Sequence, residues 1–290
     1  MKVHTNNNSE TFGLLVIGEL GEFANKSLQS MLQSGVKRFC YLSDSVGDKW
    51  IRAQLADANG IKLCRHFNAE IDTEVTGLGP EGDYVEFGEK KFFLLMILKW
   101  LLIKDMWQSH SELDFVIFSD LDVAWKSTPN LRKIFEDSSK AFLAIQDDSR
   151  NSNDRFFCPG IMIWRKSPRA IMILDEIYQF QKSRIDEGEW LPDDKALNFY
   201  LKQNGLYELV IPLPDEEYVI GHRLLHLMLG IGKFKLRKMT AFHANYAQGN
   251  DLKLKFINAS QLNVFSLKSF YFIASLLLKK LNSRFNRFRS

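Results

Sequence analysis

Residues 13–67 read GLLVIGELGEFANKSLQSMLQSGVKRFCYLSDSVGDKWIRAQLADANGIKLCRHF. Three apolar runs rich in β-branched or aromatic residues, GLLVIG, KRFCYL and IKLCRHF, alternate here with two segments of helical spacing, 23–32 and 50–58. Strands that alternate with helices of about 10 to 15 residues indicate βαβ units and a parallel sheet. The sequence therefore predicts an α/β fold whose mixed, mostly parallel sheet is flanked by helices.

The chain outside this segment continues the alternation. A loop rich in glycine and acidic residues covers 73–88, and a long helix, 89–108, precedes the buried strand DFVIFSD. The longest apolar run, 92–103, is interrupted by Lys99 and is shorter than the roughly 20 residues that span a bilayer, so it predicts a buried helix. Later helices are predicted over 131–137, 168–183, 193–203 and 222–229, and strands over 140–145, 161–164 and 207–212.

Composition excludes several classes of protein. With 290 residues, 46% hydrophobic and 25% charged, the chain can form a full core, which argues against disorder, collagen and a small disulfide scaffold. The formal net charge of +3 is too small to indicate a nucleic-acid binder. The three cysteines, Cys40, Cys64 and Cys158, are widely spaced and lack a C-x-x-C pair, so they predict neither a disulfide framework nor a zinc knuckle.

The C-terminal segment differs from the rest of the chain in charge. The last 27 residues contain six basic residues and no acidic one, which leaves 32 basic against 35 acidic residues in the body. An apolar stripe at helical spacing crosses this segment at Phe270, Ile273, Leu277, Leu281, Phe285 and Phe288. A basic amphipathic helix of this kind is suited to an anionic membrane surface, although a helix packed on the body has the same pattern. We therefore divide the chain into a main domain, 1–258, and a membrane-associating tail, 259–290.

The N-terminal sequence predicts no export signal, because its polar start is followed by an apolar stretch too short for a signal peptide. Unpaired cysteines favour a reducing compartment. Together with the basic tail, these features predict a cytoplasmic protein attached peripherally to the inner face of a membrane.

The sharpest motif is Ser119-Asp120-Leu121-Asp122, at the end of the apolar strand. Two carboxylates at this spacing offer hard oxygen ligands to a divalent cation, and they would repel each other without one. A single D-x-D is expected about once by chance in a chain of this length, and the alternative is a solvated turn. Its position after a buried strand favours the metal site.

A second group of candidates lies in FHANYAQGNDLK. His243 ends an apolar stretch and is followed by Asn245, Gly249 and Lys253. An imidazole beside two carboxylates suits Mn²⁺ better than an all-oxygen site would, and Lys253 could neutralise phosphate oxygens. Taken alone, such a histidine is more often a core residue with its hydrogen bonds satisfied, and it is the D-x-D that favours the ligand role for His243.

Further candidates are a pair of acids, a glycine and the residues at strand ends. Asp193 and Asp194 precede an apolar helix, where they either cap it or stabilise positive charge on a sugar. Gly160 would allow a ligand to approach the backbone closely. The alternative is that it belongs to a plain turn before a strand. Ligands often bind beyond the carboxyl ends of parallel strands, which makes the residues at these strand ends binding candidates. The alternative is that they form ordinary turns. The strand-end candidates are Gly18, Glu19, Ser43 and Asp44.

These residues carry a resemblance. FVIFSDLDVAWKSTP, 115–129, looks like the metal-binding segment of GT-A nucleotide-diphospho-sugar transferases, in which a strand delivers D-x-D and a proline follows. The order of Lys91 on a helix, D-x-D, the glycine-containing strand PGIMIWRKSP, an acidic element and a late H-x-N-x-x-x-G-x-x-x-K is similar to retaining glycosyltransferase family 77. The match spans roughly 90–257, and the chain has Asp194 where such families place glutamine.

The resemblance implies a Rossmann-like GT-A fold and a metal-dependent glycosyltransferase. By position, it implies Asp120, Asp122 and His243 on Mn²⁺ or Mg²⁺, Gly249 and Lys253 near the diphosphate of a UDP-sugar, and Asp193 near the transferred sugar. It further implies retention of configuration and a glycan or glycolipid acceptor, whereas the residues alone do not distinguish retention from inversion. The alternatives are a haloacid-dehalogenase-type phosphatase and an inactive membrane-tethered scaffold.

Overall fold

The structure is a computed structural model that describes residues 10–18, 20–66, 90–149, 155–229, 236–245 and 250–261. Its strands are β1 (Thr11–Val16), β2 (Arg38–Ser43), β3 (Lys62–His66), β4 (Phe115–Ser119), β5 (Val123–Trp125), β6 (Leu143–Asp147), β7 (Phe157–Arg165), β8 (Val210–Leu213), β9 (Tyr218–Ile220) and β10 (Ala241–His243). Its helices are α1 (Glu22–Gln33), α2 (Ser45–Gln54), α3 (Lys90–Ser109), α4 (Leu131–Phe135), α5 (Pro168–Asp186), α6 (Asp193–Gln203), α7 (Leu224–Leu229) and α8 (Asn250–Gln261).

A seven-stranded sheet forms the centre of the described part, in the order β3-β2-β1-β4-β7-β6-β8. The first four of these strands are parallel, β7 runs antiparallel to both of its neighbours, and β8 is parallel to β6. The prediction of a mixed, mostly parallel sheet is confirmed. The carboxyl ends of β1, β2 and β4 meet at one edge, where ligands bind in such sheets.

A small second sheet brings the distant end of the chain to this edge. It has the order β5-β10-β9, with β10 antiparallel to β5 and parallel to β9. In this register His243 lies opposite Val123, directly after Asp122. The turn between β4 and β5 and the end of β10 therefore lie side by side.

Apolar side chains fill both faces of the large sheet, since successive residues of a strand point to opposite sides. In β4, Ile117 packs with α1 and the small sheet, while Val116 and Phe118 pack with α3, α5 and α6. The helix α3 is thus buried along much of its length, as its apolar sequence predicts. Its Lys99 has no exposed surface.

Several elements differ from the sequence prediction at their ends. The helix α2 begins at Ser45, earlier than predicted, because the Asp44 side chain caps it by accepting a hydrogen bond from the Gly47 N–H at 2.7 Å. The segment Cys158-Pro159-Gly160, which allowed a turn, is the start of the long strand β7. A 3₁₀ turn, Tyr207–Leu209, replaces the first half of the strand predicted over 207–212.

Four sequence expectations lie outside the described residues, namely Glu19, the loop over 73–88, Gly249 and the amphipathic helix of the tail. Within the described part, none of the helices has the length and apolar character that crossing a bilayer requires.

Candidate active site

Two carboxylates and one imidazole converge where β4, β5 and β10 meet. Asp120 directly follows β4, and its N–H donates to the Gly160 carbonyl at 2.8 Å. The Asp122 carbonyl accepts from the Ala244 N–H at 2.9 Å, which ties the D-x-D turn to the residue after His243. The ligating atoms of Asp120, Asp122 and His243 all lie within 4.8 Å of one another. The three predicted metal ligands therefore meet in space.

Asp122 is the most strongly held member of this group. Its Oδ2 is 2.7 Å from the Lys253 Nζ, and its Oδ1 is 3.1 Å from the His243 Nε2. Burial acts to raise the pKa of Asp122, but the charges of Lys253 and His243 outweigh it and hold that pKa below its usual range. The pKa of His243 is raised, since the Asp122 charge overcomes the opposing effect of burial. The Asp122 carboxylate is therefore ionised, with the Lys253 ammonium and the His243 ring in contact with it.

Asp120 is less constrained. Its side chain is 28% exposed, with Oδ1 3.5 Å from the Lys99 Nζ and Oδ2 3.9 Å from the His243 Nε2. Burial and the Asp122 charge raise the pKa of Asp120, against the lowering effect of Lys99 and His243. Asp120 is therefore the more exposed of the two carboxylates, and a ligand can approach the pair from its side.

Gln146 orients the imidazole, which the sequence did not indicate. The fully buried Gln146 side chain donates through Nε2 to the carbonyls of Tyr218 and Val219, at 3.1 and 3.3 Å. Its Oε1 is left to accept from the His243 Nδ1 at 2.9 Å. The raised pKa of His243 keeps the metal-free ring protonated, with its Nε2 side facing Asp122. Loss of the Nε2 proton would leave the other proton on Nδ1, held by Gln146, and would turn the lone pair of Nε2 toward Asp120 and Asp122.

These three residues fit a divalent cation. The Asp122 Oδ1 is buried and has no hydrogen-bond partner of good geometry, although the His243 Nε2 is nearby. A divalent cation that took the place of the Nε2 proton would be met by this carboxylate oxygen, by the lone pair of Nε2 and by the second carboxylate. The donor set of two oxygens and one nitrogen suits Mn²⁺ or Mg²⁺.

Gly160 makes room for the imidazole. A Cβ at this position would lie 2.0 Å from the His243 Cε1, so any other residue would displace the ring. The close approach that the sequence predicted at Gly160 is therefore made by a side chain of the protein itself. The neighbouring Cys158 Sγ is 3.6 Å from the His243 Nδ1.

The buried Lys99 joins the metal ligands to the predicted sugar-binding acids, and sequence reasoning missed this role. Its Nζ donates to the Asp193 Oδ2 and also contacts Asp120. Burial acts to lower the pKa of Lys99, but the charges of Asp120 and Asp193 outweigh it and raise that pKa. A lone lysine within an apolar helix was the available signal, because a buried ammonium needs carboxylate partners.

Asp193 and Asp194 begin α6, yet they differ in environment. Asp193 is buried against Lys99 and makes no capping hydrogen bond at the helix terminus. The Asp194 Oδ1 accepts from the Lys195 N–H at 2.7 Å, and burial together with the Asp193 charge raises the pKa of Asp194 to about 6. Asn198 fastens this helix to β7, since its side chain exchanges hydrogen bonds with the Phe157 N–H and carbonyl at 2.8 and 2.7 Å.

The residues predicted at strand ends cluster at the same edge of the sheet. The Asp44 Oδ2 accepts from the Gly18 N–H at 3.0 Å, so these two residues are held together. Ser43 is buried, and its Oγ has no hydrogen-bond partner. The Ser119 hydroxyl, a further nucleotide-binding candidate from the strand-end motif, is buried and accepts from the Trp125 indole N–H at 3.0 Å. Lys91 is in the first turn of α3, and its side chain lies outside the described part.

Two residues of the late motif, Asn245 and Lys253, lie near the candidate metal ligands. The Asn245 Oδ1 accepts from the Gly221 N–H at 2.9 Å, and its Nδ2 is 3.7 Å from the Cys158 Sγ. Lys253 is on α8, one turn from the beginning of that helix, and its Nζ lies 5.4 Å from the centre of the Phe23 ring. Asn245 therefore holds a loop together, while Lys253 reaches the D-x-D carboxylate.

Comparison with known proteins assigns the chain to a family. Residues 56–257, more than half of the chain, match the nucleotide-diphospho-sugar transferases. The chain belongs to this family. It is therefore a glycosyltransferase, and the enzyme class implied by its sequence is confirmed. This membership decides between the transferase and phosphatase interpretations in favour of the transferase. No curated protein matches the chain.

Solved structures show the fold of the transferase to be of the GT-A type. The galactosyltransferase LgtC, in complex with donor and acceptor sugar analogues, is 10% identical with a TM-score of 0.56, over 87% of this chain and 97% of that one. GlyE of Streptococcus pneumoniae TIGR4 is 13% identical with a TM-score of 0.54, over 93% and 64%. Mouse xyloside xylosyltransferase 1, in its apo form, is 15% identical with a TM-score of 0.49, over 83% and 99%, and the fold assignment does not rest on it.

Proposed function

We propose that this transferase moves a sugar from a UDP-sugar to a saccharide or lipid-linked glycan acceptor, in a reaction that depends on Mn²⁺ or Mg²⁺ and retains configuration at the anomeric carbon. The observation that supports it best is the convergence of Asp120, Asp122 and His243, whose ligating atoms lie within 4.8 Å of one another. The first two of these are separated from the third by more than a hundred residues, so their meeting is a property of the fold.

The cation would be held by the two carboxylates and the imidazole. A bound divalent cation stabilises the negative charge that develops on a nucleoside diphosphate as it leaves. Gln146 would keep the His243 ring in the tautomer that presents Nε2, and Gly160 would leave space for that ring. Both residues would thus act through His243.

The diphosphate would lie beside Lys253. In the structure its ammonium contacts the Asp122 carboxylate at 2.7 Å, so it is already at the cation site. An ammonium there can neutralise phosphate oxygens as a point charge. We place Gly249, from the same late motif, near the diphosphate as well, on the resemblance alone.

The transferred sugar would lie beside Asp193 and Asp194. Lys99 holds the Asp193 side chain in place, since the buried ammonium donates to its Oδ2. An ionised carboxylate near the anomeric carbon can accept hydrogen bonds from sugar hydroxyls and stabilise developing positive charge. Because Lys99 contacts Asp120 too, it would couple the position of the sugar to that of the diphosphate.

The nucleoside would occupy the edge formed by the ends of β1 and β2. Gly18, Ser43 and Asp44 meet there, and we include Glu19 and Lys91 from the sequence prediction. We include Gly160 and Asn245 as donor-binding residues too, because they contact His243 and Cys158 beside the proposed cation site. The main domain would extend to residue 258, and the basic tail, 259–290, would attach it to an anionic cytoplasmic membrane surface where a lipid-linked acceptor is available.

The test is an assay of the full chain against a panel of UDP- and GDP-sugars with and without Mn²⁺. We expect Mn²⁺-dependent release of UDP from one UDP-sugar, and a transfer product whose anomeric configuration, read by NMR, matches that of the donor. A thermal-shift titration would show stabilisation by UDP only when Mn²⁺ is present. Turnover that is unaffected by chelation would contradict metal dependence, and absence of turnover with every donor would favour an inactive scaffold.

The membrane part of the proposal has its own test. Flotation with anionic and neutral liposomes, using the full chain and a version lacking 264–290, should show anionic-specific binding of the full chain alone. Equal flotation of the two proteins would contradict attachment through the tail and leave the transferase chemistry untouched.

A further inference from the structure

A second group of metal-ligand side chains lies on the face of the large sheet that α3 covers. It consists of Cys40 on β2, Cys64 and His66 on β3, and His110 directly after α3. Each residue offers one sulfur or ring nitrogen, and these four atoms lie within 4.8 Å of one another. The group shares no residue with the D-x-D cluster, and no step of the proposed transfer uses it.

The register of the sheet explains the convergence. Cys40 and Cys64 are directly opposed in the parallel pair β2–β3, so their side chains point to the same face. His66 is two residues after Cys64 and therefore shares that face. The end of α3 packs across it, which adds His110 as the fourth residue. None of these positions is close enough in sequence to form a spacing motif except Cys64 and His66.

The distances between side chains of this group are close to those between neighbouring ligands of one metal ion. The His110 Nε2 lies 3.3 Å from the Cys64 Sγ, and the His66 and His110 rings meet edge to face at a centroid distance of 6.1 Å. The four ligands of a tetrahedral zinc ion, at about 2.0–2.3 Å from it, lie roughly 3.3–3.8 Å apart. Small side-chain movements would convert the observed spread to that geometry.

One buried nitrogen of this group has no partner. His66 is 6% exposed, and its buried Nε2 has no hydrogen-bond partner among the residues that the structure describes. A buried polar atom without a hydrogen bond lowers the stability of the fold, and a bound metal ion would remove this cost. A cation ligated within the group would stabilise both imidazoles and both thiolates.

The surroundings supply a partner for the outer nitrogen of His110. At present the Arg38 Nη2 donates to the His110 Nδ1 at 2.8 Å and to the Glu112 Oε1 at 2.9 Å. Coordination through Nε2 would place the ring proton on Nδ1, and the Glu112 Oε1, 3.8 Å away, would accept it as Arg38 turns aside. A carboxylate that receives the second ring proton is usual for zinc-bound histidine.

We propose that Cys40, Cys64, His66 and His110 bind a structural Zn²⁺ ion. Two sulfurs and two imidazole nitrogens are the soft and borderline donors that zinc prefers, whereas Mn²⁺ prefers the oxygens of the other cluster. Four protein ligands close the coordination sphere, so the ion would be structural and not catalytic. It would clamp the edge strand β3 to β2 and to the end of α3.

The test is anaerobic titration of the reduced, tag-free full chain with Co²⁺, followed by Zn²⁺. We expect one tightly bound Co²⁺ that shows a thiolate-to-cobalt charge-transfer band and tetrahedral visible bands, both of which disappear when Zn²⁺ displaces it. The carboxylate-imidazole cluster has no thiolate ligand and cannot produce that band. A raised unfolding temperature with Zn²⁺ is the second readout.

Variants locate the ion. Cys64→Ser, at a partly exposed position, should lower the charge-transfer intensity by about half and weaken Co²⁺ binding more than about 10-fold, while Glu112→Gln should weaken it about 10- to 100-fold. Cys158→Ser, at the third cysteine, is the matched control and should keep the band. Circular dichroism of each variant verifies folding.

Three outcomes would overturn the proposal. The first is a wild type without the thiolate band. The second is a band that keeps its full intensity in Cys64→Ser and His110→Ala but is lost in Cys158→Ser. The third is a Cys40–Cys64 disulfide, detected by thiol counting in the protein as isolated. Because the readouts are spectroscopic, they do not depend on whether the chain transfers sugar.

Discussion

The two ligand clusters of this transferase lie on one sheet and differ in chemistry. Asp120, Asp122 and His243 meet at the carboxyl end of β4, with the ammonium groups of Lys99 and Lys253 in contact with the carboxylates. The other cluster, on β2, β3 and the end of α3, has two thiols and two imidazoles. Hard oxygen donors select Mn²⁺ or Mg²⁺, whereas sulfur and nitrogen select Zn²⁺. We infer from this difference that the chemical type of the donor atoms distinguishes the proposed nucleotide-sugar site from the proposed structural zinc site.

The clusters also differ in how their charge is balanced. A buried carboxylate stays ionised only beside a positive charge, and the lysines supply that charge to the first cluster without a metal ion. Thiols and imidazoles can be neutral, and the second cluster is therefore compatible with burial in the absence of a metal ion. The predictions below test this contrast.

The largest effect is expected from removing the buried cation of the first cluster. Lys99→Met leaves the Asp193 carboxylate without its partner, and breaking a buried ion pair costs about 3–5 kcal/mol of unfolding free energy. Lys104→Met is the matched control on the same helix, since Lys104 and Asp175 are 27% and 44% exposed and such a pair contributes about 0–1 kcal/mol. Urea denaturation measures both, and equal losses would refute the buried pairing.

Loss of one carboxylate ligand should remove turnover while leaving the second cluster intact. Asp122→Asn is expected to lower kcat/KM by about 100-fold or more, roughly 2.7 kcal/mol, because a bound cation supplies several kcal/mol of transition-state stabilisation. The thiolate-to-cobalt band should be unchanged in this variant. Asp57→Asn, at an exposed position, serves as the control. Near-normal turnover of Asp122→Asn would mean that the cation is held elsewhere.

A smaller effect is expected from crowding the imidazole. In Gly160→Ala the new methyl group would lie 2.0 Å from the His243 Cε1, and overpacking of this kind costs about 1–3 kcal/mol. We expect weaker Mn²⁺ binding by calorimetry, of about 10-fold, with the thiolate band unaffected. In Gly13→Ala the methyl would meet the flexible Met106 side chain at 2.9 Å, and Mn²⁺ affinity should not change. Equal Mn²⁺ affinities for the two variants would argue against His243 as a ligand.

The smallest effect concerns the pH dependence of stability near the first cluster. Burial and the Asp193 charge raise the pKa of Asp194 from 3.8 to about 6, so the folded protein holds this proton more tightly than the unfolded chain does. The unfolding free energy should therefore fall as the pH rises from about 4 to about 6. Asp194→Asn should flatten the unfolding temperature across this window and raise it above the wild-type value at neutral pH. Parallel profiles for the two proteins would show that Asp194 has no such shift.

Much of this architecture follows from local sequence. Alternating apolar runs and helical periodicities indicate the parallel half of the sheet, because strand and helix periodicities are set within a few residues. The D-x-D after an apolar strand and His243 at the end of another were recognisable for the same reason, since polar side chains after buried strands lie at a sheet edge. Even the burial of α3 was visible in its composition.

Other features depended on long-range packing. The partners of Lys99 come from β4 and α6, the ring beside Gly160 comes from β10, and Gln146 reaches His243 from β6. The separate positions of Cys40 and Cys64 argued against a zinc site until strand register set them opposite each other. Sequence periodicity determines which face a residue occupies, but strand order and helix docking determine which residues share that face, because those depend on the packing of the whole core.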